Sequence, residues 1–322
     1  MIAPRASRGG GQRKVVDAIH VAHEIDVLVT RFEEYARVVD EFHVFEGNLT
    51  QRGAPKPLVF CEHRQHFQKY WDRIRYHRIP NLEGYEHLCG YGTIGARVNL
   101  GVKGSAWACE VHDREYVETT MLELLEDDDI VIHSDADEVI RESTLRDLTT
   151  RTLALPVVVN LTSYKYSLHW LEYSAWIFPT VMTGRQARLK LKGLRPTLHR
   201  HIYTGLEIVE GGWHLSTFGS LEDVQRKVHS IIEGYSREMS NETLLSRLHL
   251  GVALYNSWTS FSYRPQPPEP PPRIFHTMSA YANKRLMRWD RIGAGRADTT
   301  WCKLLGYVDP WGYCSDRHIF QI

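Results

Sequence analysis

The sequence lacks an excess of charge of either sign. Its 322 residues include 39 lysines and arginines and 39 aspartates and glutamates. A net charge of zero provides no general attraction to a nucleic-acid backbone or to an anionic membrane. We therefore expect no nucleic-acid partner, and we look for function in local clusters of charge.

Long apolar runs are also missing. The longest are short stretches such as 153–159, which Pro156 interrupts, whereas a membrane helix needs roughly 20 apolar residues. We expect no transmembrane anchor in this chain and a protein that is soluble without detergent. The first 14 residues are basic and rich in glycine but have no apolar core of a signal peptide, so residues 1–14 are interpreted as a flexible basic leader.

Cysteine is sparse, and no internal repeat is present. The five cysteines are an odd number with wide, irregular spacing, at positions 61, 89, 109, 302 and 314. This spacing matches neither a zinc motif nor the dense disulfide framework of a small secreted domain. We expect most of the cysteines to be buried thiols.

The sequence does contain an alternation of strand and helix patterns. Strand-like stretches at 15–21 and 41–46 flank a helical pattern at 24–38, and a helical pattern over 107–125 leads into an apolar strand at 130–133. Such alternation is typical of an α/β sheet with right-handed crossovers. We predict an α/β fold with a mostly parallel central sheet flanked by helices. Further predicted elements are helices over 62–70, 221–235 and 241–256 and strands over 74–77, 155–168 and 176–182.

Two segments of biased composition divide the chain. The segment 79–106 contains six glycines, which predicts a mobile loop. The segment 261–273 holds six of the 14 prolines and is interpreted as an extended linker. These features predict a catalytic domain over 15–260, followed by the linker and a tail, 274–322, that shows no clear period.

The strongest local signal is a pair of aspartates directly after the apolar strand 130–133. Asp135 and Asp137 stand at positions i and i+2, and ligands of open α/β sheets bind at the carboxyl ends of the strands. Two carboxylates there can hold one hard divalent cation, which can bridge the phosphates of a nucleotide. The alternative is an acidic turn that only solubilises a loop, but the position after a buried strand favours the cation site.

Positive charge is concentrated further along the chain. The segment 184–203 contains six arginines and lysines and no carboxylate. Such a segment can neutralise a diphosphate, and Arg188 within it is a candidate for this role. The alternative is a strand with a solvated basic face.

Two further pairs have both an ordinary and a functional interpretation. Glu110 and Arg114 are spaced i, i+4 on a predicted helix, which by default is a surface ion pair worth about 0.3–0.5 kcal/mol. Trp213 can stack on a sugar and His214 can ligate a metal, although such a pair more often belongs to a core.

These motifs occur in an order that resembles glycosyltransferase family 17, the β-1,4-mannosyl-glycoprotein 4-β-N-acetylglucosaminyltransferase family. The similarity extends from about residue 23 to residue 235. Its parts are His23–Leu28 with Arg31, Val38–Asp40, Glu46–Thr50 with Gly53, Pro55–Leu58, Trp107 with Glu110 and Arg114, Asp127–Ile132 leading into Asp135–Glu138, and Gly212–Ser216 before the helix of Lys227. The family usually continues its acidic motif with Ile-Pro, whereas Val139–Arg141 follows here.

The resemblance implies a GT-A type nucleotide-sugar-binding fold, a UDP-N-acetylglucosamine donor and a mannose-containing glycan or glycoprotein acceptor. It also implies a divalent metal, Mn²⁺ or Mg²⁺, and inversion at the anomeric carbon. We assign Asp135 and Asp137 to the metal, with His214 as a further ligand. The residues assigned to donor binding are Glu24, Asp26, Arg31, Glu46, Arg114, Arg188 and Trp213.

Inversion also needs a carboxylate that accepts the proton of the acceptor hydroxyl from within about 3 Å. Glu110, Glu138 and Glu210 are the candidates, and the sequence does not rank them. Because transfer has to keep water away from the donor, we expect the glycine-rich segment 79–106 to be a loop at the cleft that orders when the donor binds.

Two other classes of protein stay open as hypotheses. A glycoside hydrolase with paired carboxylates would release free sugar without a nucleotide. A non-catalytic sugar-binding protein would have lost the metal carboxylates, yet Asp135 and Asp137 are both present. The resemblance implies a Golgi lumen, while the sequence also leaves the cytoplasm open.

Overall fold

The computed structural model describes residues 13–89, 108–166, 170–189 and 207–231, together with residues 240, 242, 244, 248, 264 and 265. Most of the predicted leader, linker, tail and glycine-rich loop, the residue Trp107 and most of the predicted helix 241–256 lie outside these residues. The described helices include none that is both long and apolar enough to cross a membrane.

The described residues form ten strands and eight helices. The strands are β1 (Val15–Val21), β2 (Glu41–Glu46), β3 (Ile74–Arg78), β4 (Ile130–Asp135), β5 (Glu138–Ile140), β6 (Val157–Lys165), β7 (Trp170–Trp176), β8 (Thr180–Thr183), β9 (Glu207–Ser216) and β10 (Arg264–Pro265). The α-helices are α1 (Ile25–Tyr35), α2 (Val59–Glu62), α3 (Tyr85–Leu88), α4 (Ala108–Leu124), α5 (Glu142–Thr150), α6 (Gly184–Leu189) and α7 (Leu221–Ser230), and one 3₁₀ helix covers Arg64–Arg73.

The strands belong to one sheet, so the predicted α/β class is confirmed. The strand order is β10-β7-β6-β8-β4-β1-β2-β3, and β9 pairs with both β5 and β6. The run β4-β1-β2-β3 is parallel, but β8 is antiparallel to both β4 and β6, and β7 is antiparallel to β6. The prediction of a mostly parallel sheet is therefore wrong, and the sheet is mixed. The connections between β6, β7 and β8 are too short for the crossover helix that a parallel connection needs.

The first half of the chain follows the predicted elements closely. The strands β1 and β2 have the predicted bounds, and α1 and α4 lie within the predicted helices. The predicted strand 176–182 is wrong, because β7 ends at Trp176 and β8 begins at Thr180 after Pro179, which has no N–H to donate to a ladder. The predicted helix 62–70 is largely the 3₁₀ helix, and Arg264–Pro265 of the predicted linker pairs with β7.

Apolar side chains bury both faces of the parallel strands. One cluster joins β1, β2 and β4 to α1, the 3₁₀ helix and α5, and the Phe32 ring contacts both Phe42 and Phe67. The second cluster covers the other face and includes Val117 and Met121 of α4. Burial on two faces explains why these strands are near-continuous apolar runs.

Two glycines allow β9 to approach its neighbours closely. A Cβ atom on Gly211 would lie 2.1 Å from the Thr144 hydroxyl of α5, and one on Gly212 would lie 2.3 Å from the Val139 carbonyl oxygen of β5. No side chain fits at either position. The glycines therefore let β9 bring Trp213 and His214 beside β5.

A disulfide joins Cys89 at the end of α3 to Cys109 at the start of α4. The expectation of buried thiols is wrong for these two residues, and the third described cysteine, Cys61, is an exposed thiol. The paired cysteines are 20 residues apart in sequence, and the loop that they close includes most of the glycine-rich segment. The disulfide therefore ties α3 to α4 across that loop.

Removing this disulfide should destabilise the protein. Closing a loop of about 20 residues removes denatured-state entropy worth about 3 kcal/mol, so the double variant Cys89→Ala/Cys109→Ala should lose that free energy of unfolding and melt several degrees lower. Thermal melting monitored by circular dichroism measures the effect. Cys61→Ala is the control and should melt like the native protein; equal melting of all three proteins would contradict the assignment.

Candidate active site

The carboxyl ends of the parallel strands place several predicted site residues at one edge of the sheet. Glu46 ends β2, Asp135 ends β4, and Glu24 follows β1 by three residues. Because β1 pairs in parallel with both β2 and β4, these residues converge on one edge. This is the edge at which ligands of open α/β sheets bind.

A buried arginine holds the acidic loop that leaves β4. The Arg31 side chain is fully buried, and its Nε and one terminal nitrogen donate to both carboxylate oxygens of Asp17 in β1 (2.9 and 2.5 Å). The other N–H groups donate to the carbonyl oxygens of Asp135 and Glu138 and to the Ser134 hydroxyl. A guanidinium has five N–H groups, and all five are used within the protein. Arg31 therefore shapes the acidic loop and has no N–H left for a donor.

Glu138 closes the same loop from the other side. Its Oε2 accepts from the Asp135 backbone N–H (2.9 Å) and its Oε1 accepts from the Trp176 indole (2.7 Å). The residue is fully buried. Both oxygens thus have structural partners, which leaves Glu138 poorly placed to take a proton from an acceptor.

Asp135 faces the first turns of α4. Arg114 donates to both Asp135 carboxylate oxygens (3.1 and 3.3 Å), and it also donates to Oε1 of Glu110 (2.7 Å). The pair Glu110–Arg114 is therefore more than a surface ion pair, because it extends to the acidic loop. Oε2 of Glu110 is buried and accepts no hydrogen bond from the described residues.

Asp137 and Glu24 form ion pairs with the same lysine. Lys227 of α7 lies 2.7 Å from Asp137 Oδ2 and 3.1 Å from Glu24 Oε1. Burial alone would raise the pKa of Asp137, but its charged neighbours, Lys227 first among them, outweigh burial and hold the pKa well below its usual value. Burial would raise the pKa of Glu24, but Lys227 and His23 together outweigh burial and lower it. Both groups are therefore carboxylates at neutral pH.

His214 lies beside Asp137. Its Nε2 is 3.7 Å from Asp137 Oδ2, its Nδ1 is hydrogen-bonded to the Ser163 hydroxyl (2.8 Å), and its ring stacks on Trp176 at 3.9 Å. The backbone N–H of Leu215 donates to the Asp137 carbonyl oxygen, which ties β9 to the acidic loop.

The residues at this edge fit a divalent cation that is shared with a diphosphate. Two ligand atoms of one such ion lie about 3 to 4 Å apart, given ligand distances of about 2.1 Å, and Asp137 Oδ2 and His214 Nε2 meet this condition. The described residues contain no cluster of three or more histidine, cysteine or acidic side chains able to hold an ion by themselves. A cation such as Mg²⁺ often binds through one or two protein ligands plus substrate phosphates, so two ligands are sufficient for this type of site.

Glu46 and Asp26 are also at this edge but are buried. The Glu46 oxygens accept from the Phe60 backbone N–H and the Tyr76 hydroxyl, and burial raises the pKa of Glu46. Asp26 lies in the first turn of α1 and lines a small cavity of about 40 Å³ with His23 and Glu24. Glu46 thus supports the loop after β2.

Three predicted site residues do not join this group. Arg188 lies on α6, which follows β8 at the amino end of β4, and it donates to the Leu125 carbonyl oxygen and pairs with Asp127. Glu210 is exposed on β9 and accepts from Asn160 (2.6 Å). Trp213 is buried in the main core, with the Arg141 guanidinium over its ring, so it offers no exposed platform for a sugar.

Several residues of the edge were not predicted as site residues. In the sequence, Lys227 was noted only because it lies on the predicted helix after Gly212–Ser216. The position of Asp17 could have indicated a buried ion pair, because a carboxylate inside an apolar strand needs a buried partner. No local pattern could have identified Ser163 or Trp176, because their roles depend on the pairing of β6, β7 and β9.

A larger cavity adjoins the edge. It has a volume of about 390 Å³ and lies between α7 and the loop after β2, with lining residues that include His23, Thr50, Lys56 and Arg226. Lys56 Nζ is buried and makes no hydrogen bond with the described residues. Burial lowers the pKa of Lys56, although the nearby Glu46, Glu24 and Asp113 oppose this. The amine is thus a buried hydrogen-bond donor beside the cavity, without a partner among the described residues.

Comparison with known proteins identifies the family. The sequence profile of glycosyltransferase family 17 matches residues 6–247 of this chain, which is most of its length and includes every residue of the edge described above. The chain therefore belongs to glycosyltransferase family 17, and the resemblance seen in the sequence is confirmed.

Three curated relatives share a shorter stretch with the chain. All are called β-1,4-mannosyl-glycoprotein 4-β-N-acetylglucosaminyltransferase, and over 50 residues the chain is 52% identical to the one from Homo sapiens, 50% to that from Rattus norvegicus and 48% to that from Mus musculus. The matched stretch is 16% of this chain and 9% of the length of each relative.

Breaking the buried ion pair between Asp17 and Arg31 should destabilise the fold. Arg31→Met leaves the Asp17 carboxylate buried without its partner, which typically costs about 3–5 kcal/mol. Urea denaturation measures the change in the free energy of unfolding. Arg185→Met is the matched control, because it removes an ion pair with Asp127 in which both side chains are more than half exposed and should cost at most about 1 kcal/mol. A similar small loss in both variants would contradict the role of Arg31.

Proposed function

We propose that this protein transfers N-acetylglucosamine from UDP-N-acetylglucosamine to a mannose-containing glycan, with a divalent metal and with inversion at the anomeric carbon. Membership of glycosyltransferase family 17 supports the reaction class, and the names of the relatives support the transferred sugar and the acceptor. The observation that carries the proposal is the convergence of Asp135, Asp137 and His214 at the carboxyl edge of β4.

The parallel run β4-β1-β2-β3 with an antiparallel strand beside β4 supports a GT-A type fold. In this proposal the donor lies across the carboxyl ends of β1 and β4. The 390 Å³ cavity beside the loop after β2 would take part of the nucleotide, and Lys56 would donate to it. Glu24 would then lie beside the nucleotide, with its carboxylate bound to the Lys227 ammonium.

Asp135, Asp137 and His214 would hold the metal together with oxygens of the donor diphosphate. When bound, the metal acts as a Lewis acid that stabilises negative charge on the departing UDP. Arg114 and Lys227 hold the two aspartates in place and add positive charge near the same phosphates.

The acceptor hydroxyl has to lose a proton as its oxygen bonds to the anomeric carbon and the bond to UDP breaks. Of the three carboxylates predicted for this step, Glu110 is supported best. Both oxygens of Glu138 accept hydrogen bonds, from the Asp135 backbone and the Trp176 indole. Glu210 lies four residues before His214 along β9, roughly 13 Å at 3.3 Å per residue. Glu110 is joined to Asp135 through Arg114 and has an oxygen with no partner among the described residues.

The two rival classes are less well supported. A glycoside hydrolase does not need a cavity for a nucleotide beside its acids, and the family to which the chain belongs is one of glycosyltransferases. A sugar-binding protein without activity would not need the charge network that orders Asp135 and Asp137.

Asp137→Asn should remove most transfer activity while the protein stays folded. The neutral amide replaces a charged oxygen ligand of a cation that bridges phosphates, so we expect UDP release from UDP-N-acetylglucosamine with Mn²⁺ and a mannose-containing acceptor to fall by about 100-fold or more. EDTA should lower the activity of the native protein in the same way.

Asp127→Asn is the matched control, because Asp127 binds Arg185 and Arg188 at the amino end of β4. Its rate should stay close to native. Native turnover by both Asp137→Asn and the chelated enzyme would show that the metal assignment is wrong, and release of free N-acetylglucosamine without an acceptor product would favour the hydrolase.

Glu110→Gln tests whether Glu110 is the general base that accepts the proton of the acceptor hydroxyl. Loss of a general base costs about 10²- to 10⁴-fold in rate, whereas the amide oxygen can still accept from Arg114, so kcat should fall with little change in the KM for the donor. Glu210→Gln should retain native kcat. If instead Glu210→Gln is the slow variant, the assignment of the base to Glu110 is refuted.

A further inference from the structure

Three neighbouring side chains surround the His214 imidazole. Trp176 stacks on its ring with an angle of 17° between the planes, and the Trp176 indole N–H is anchored on Glu138. Nδ1 is hydrogen-bonded to the Ser163 hydroxyl, and Nε2 faces Asp137. The side chain is only 7% exposed, so its orientation is set by these neighbours rather than by solvent.

A carboxylate behind Ser163 fixes the direction of the hydrogen bond to the imidazole. The Ser163 hydroxyl donates to Glu172 Oε2 (2.8 Å), and the other oxygen of Glu172 forms an ion pair with Lys165 (3.1 Å). A carboxylate only accepts hydrogen bonds, and a serine hydroxyl has a single proton to donate. Since that proton is committed to Glu172, the Ser163 oxygen can only accept from His214.

The hydrogen on His214 therefore belongs on Nδ1. In a neutral imidazole with Nδ1–H, the lone pair is on Nε2, which is the nitrogen that faces Asp137. The distance from Nε2 to Asp137 Oδ2, 3.7 Å, is longer than a hydrogen bond, so this contact does not hold a hydrogen on Nε2. The other tautomer would have no lone pair for a cation at that position. A hydrogen bond on one ring nitrogen that sets the ligand nitrogen is a common arrangement around protein-bound metals.

We propose that Ser163 and Glu172 are positioning residues that hold His214 in the Nδ1–H tautomer and present Nε2, beside Asp137, to the divalent cation that accompanies the donor diphosphate. Neither residue touches the cation or the donor. The tautomer follows from the hydrogen bonds alone, while the part that concerns the cation rests on the proposed function.

Ser163→Ala tests the proposal, because it removes the acceptor for Nδ1–H while leaving Asp137 and His214 unchanged. Two readouts are used on the full chain: the Mn²⁺ dissociation constant in the presence of UDP, from electron paramagnetic resonance of free Mn²⁺, and the ¹⁵N chemical shifts of the His214 ring without metal, at a pH at which the ring is neutral. We expect Mn²⁺ to bind about 10- to 100-fold more weakly and the ring to become a mixture of tautomers.

Glu172→Gln is a second variant that keeps the size of the side chain. Its amide can donate to Ser163, which frees the hydroxyl proton to point at Nδ1 and favours the Nε2–H tautomer. Thr162→Ala is the matched control: Thr162 is the neighbour of Ser163 in β6 and pairs with Trp213 rather than His214. It should leave both readouts unchanged.

Three outcomes decide the matter. Weaker Mn²⁺ binding and an altered tautomer in Ser163→Ala and Glu172→Gln, but not in Thr162→Ala, support the proposal. Native behaviour of Ser163→Ala, or equal losses in Thr162→Ala, overturns it. If the native protein with UDP binds no Mn²⁺, the proposed function fails, and the ¹⁵N shifts still decide whether Ser163 and Glu172 set the tautomer.

Discussion

The buried ion pair between Asp17 and Arg31 is the interaction on which the rest of this edge depends. Asp17 lies inside the central strand β1, and Arg31 reaches it from α1 and continues to the backbone of the loop after β4. Because an isolated charge cannot stay in a core, each partner requires the other. One pair thereby joins strand, helix and acidic loop, so Asp135 and Asp137 are presented by a rigid support rather than by a mobile turn.

Two cations beside that support are each shared by two carboxylates. Arg114 binds Asp135 and Lys227 binds Asp137, and the cations come from α4 and α7, which approach from different parts of the chain. These ion pairs order Asp135 and Asp137 before a ligand arrives. A metal and a diphosphate that bind here have to share these partners, so donor binding and the packing of α7 should be coupled.

The sequence predicted the acidic motif and the strands around it, because β1, β2 and β4 are apolar runs with clear ends. It did not predict the roles of Arg31, Glu138 and Trp213. Each has a residue type that also suits ligand binding, and only tertiary contacts show that Arg31 and Glu138 use their polar atoms internally and that Trp213 is in the core. Lys227 and Ser163 could not have been found, since strand pairing and helix docking far along the chain bring them to the edge.

The central claim is that the edge formed by Asp135, Asp137 and His214 binds the donor diphosphate together with a divalent cation. A crystal structure of the protein with UDP and Mn²⁺ tests it most directly. The account predicts Mn²⁺ bonded to Asp137 and to the diphosphate, with the uridine toward the cavity that Lys56 lines. Mn²⁺ that contacts neither aspartate, or UDP bound away from the carboxyl ends of β1 and β4, would contradict it.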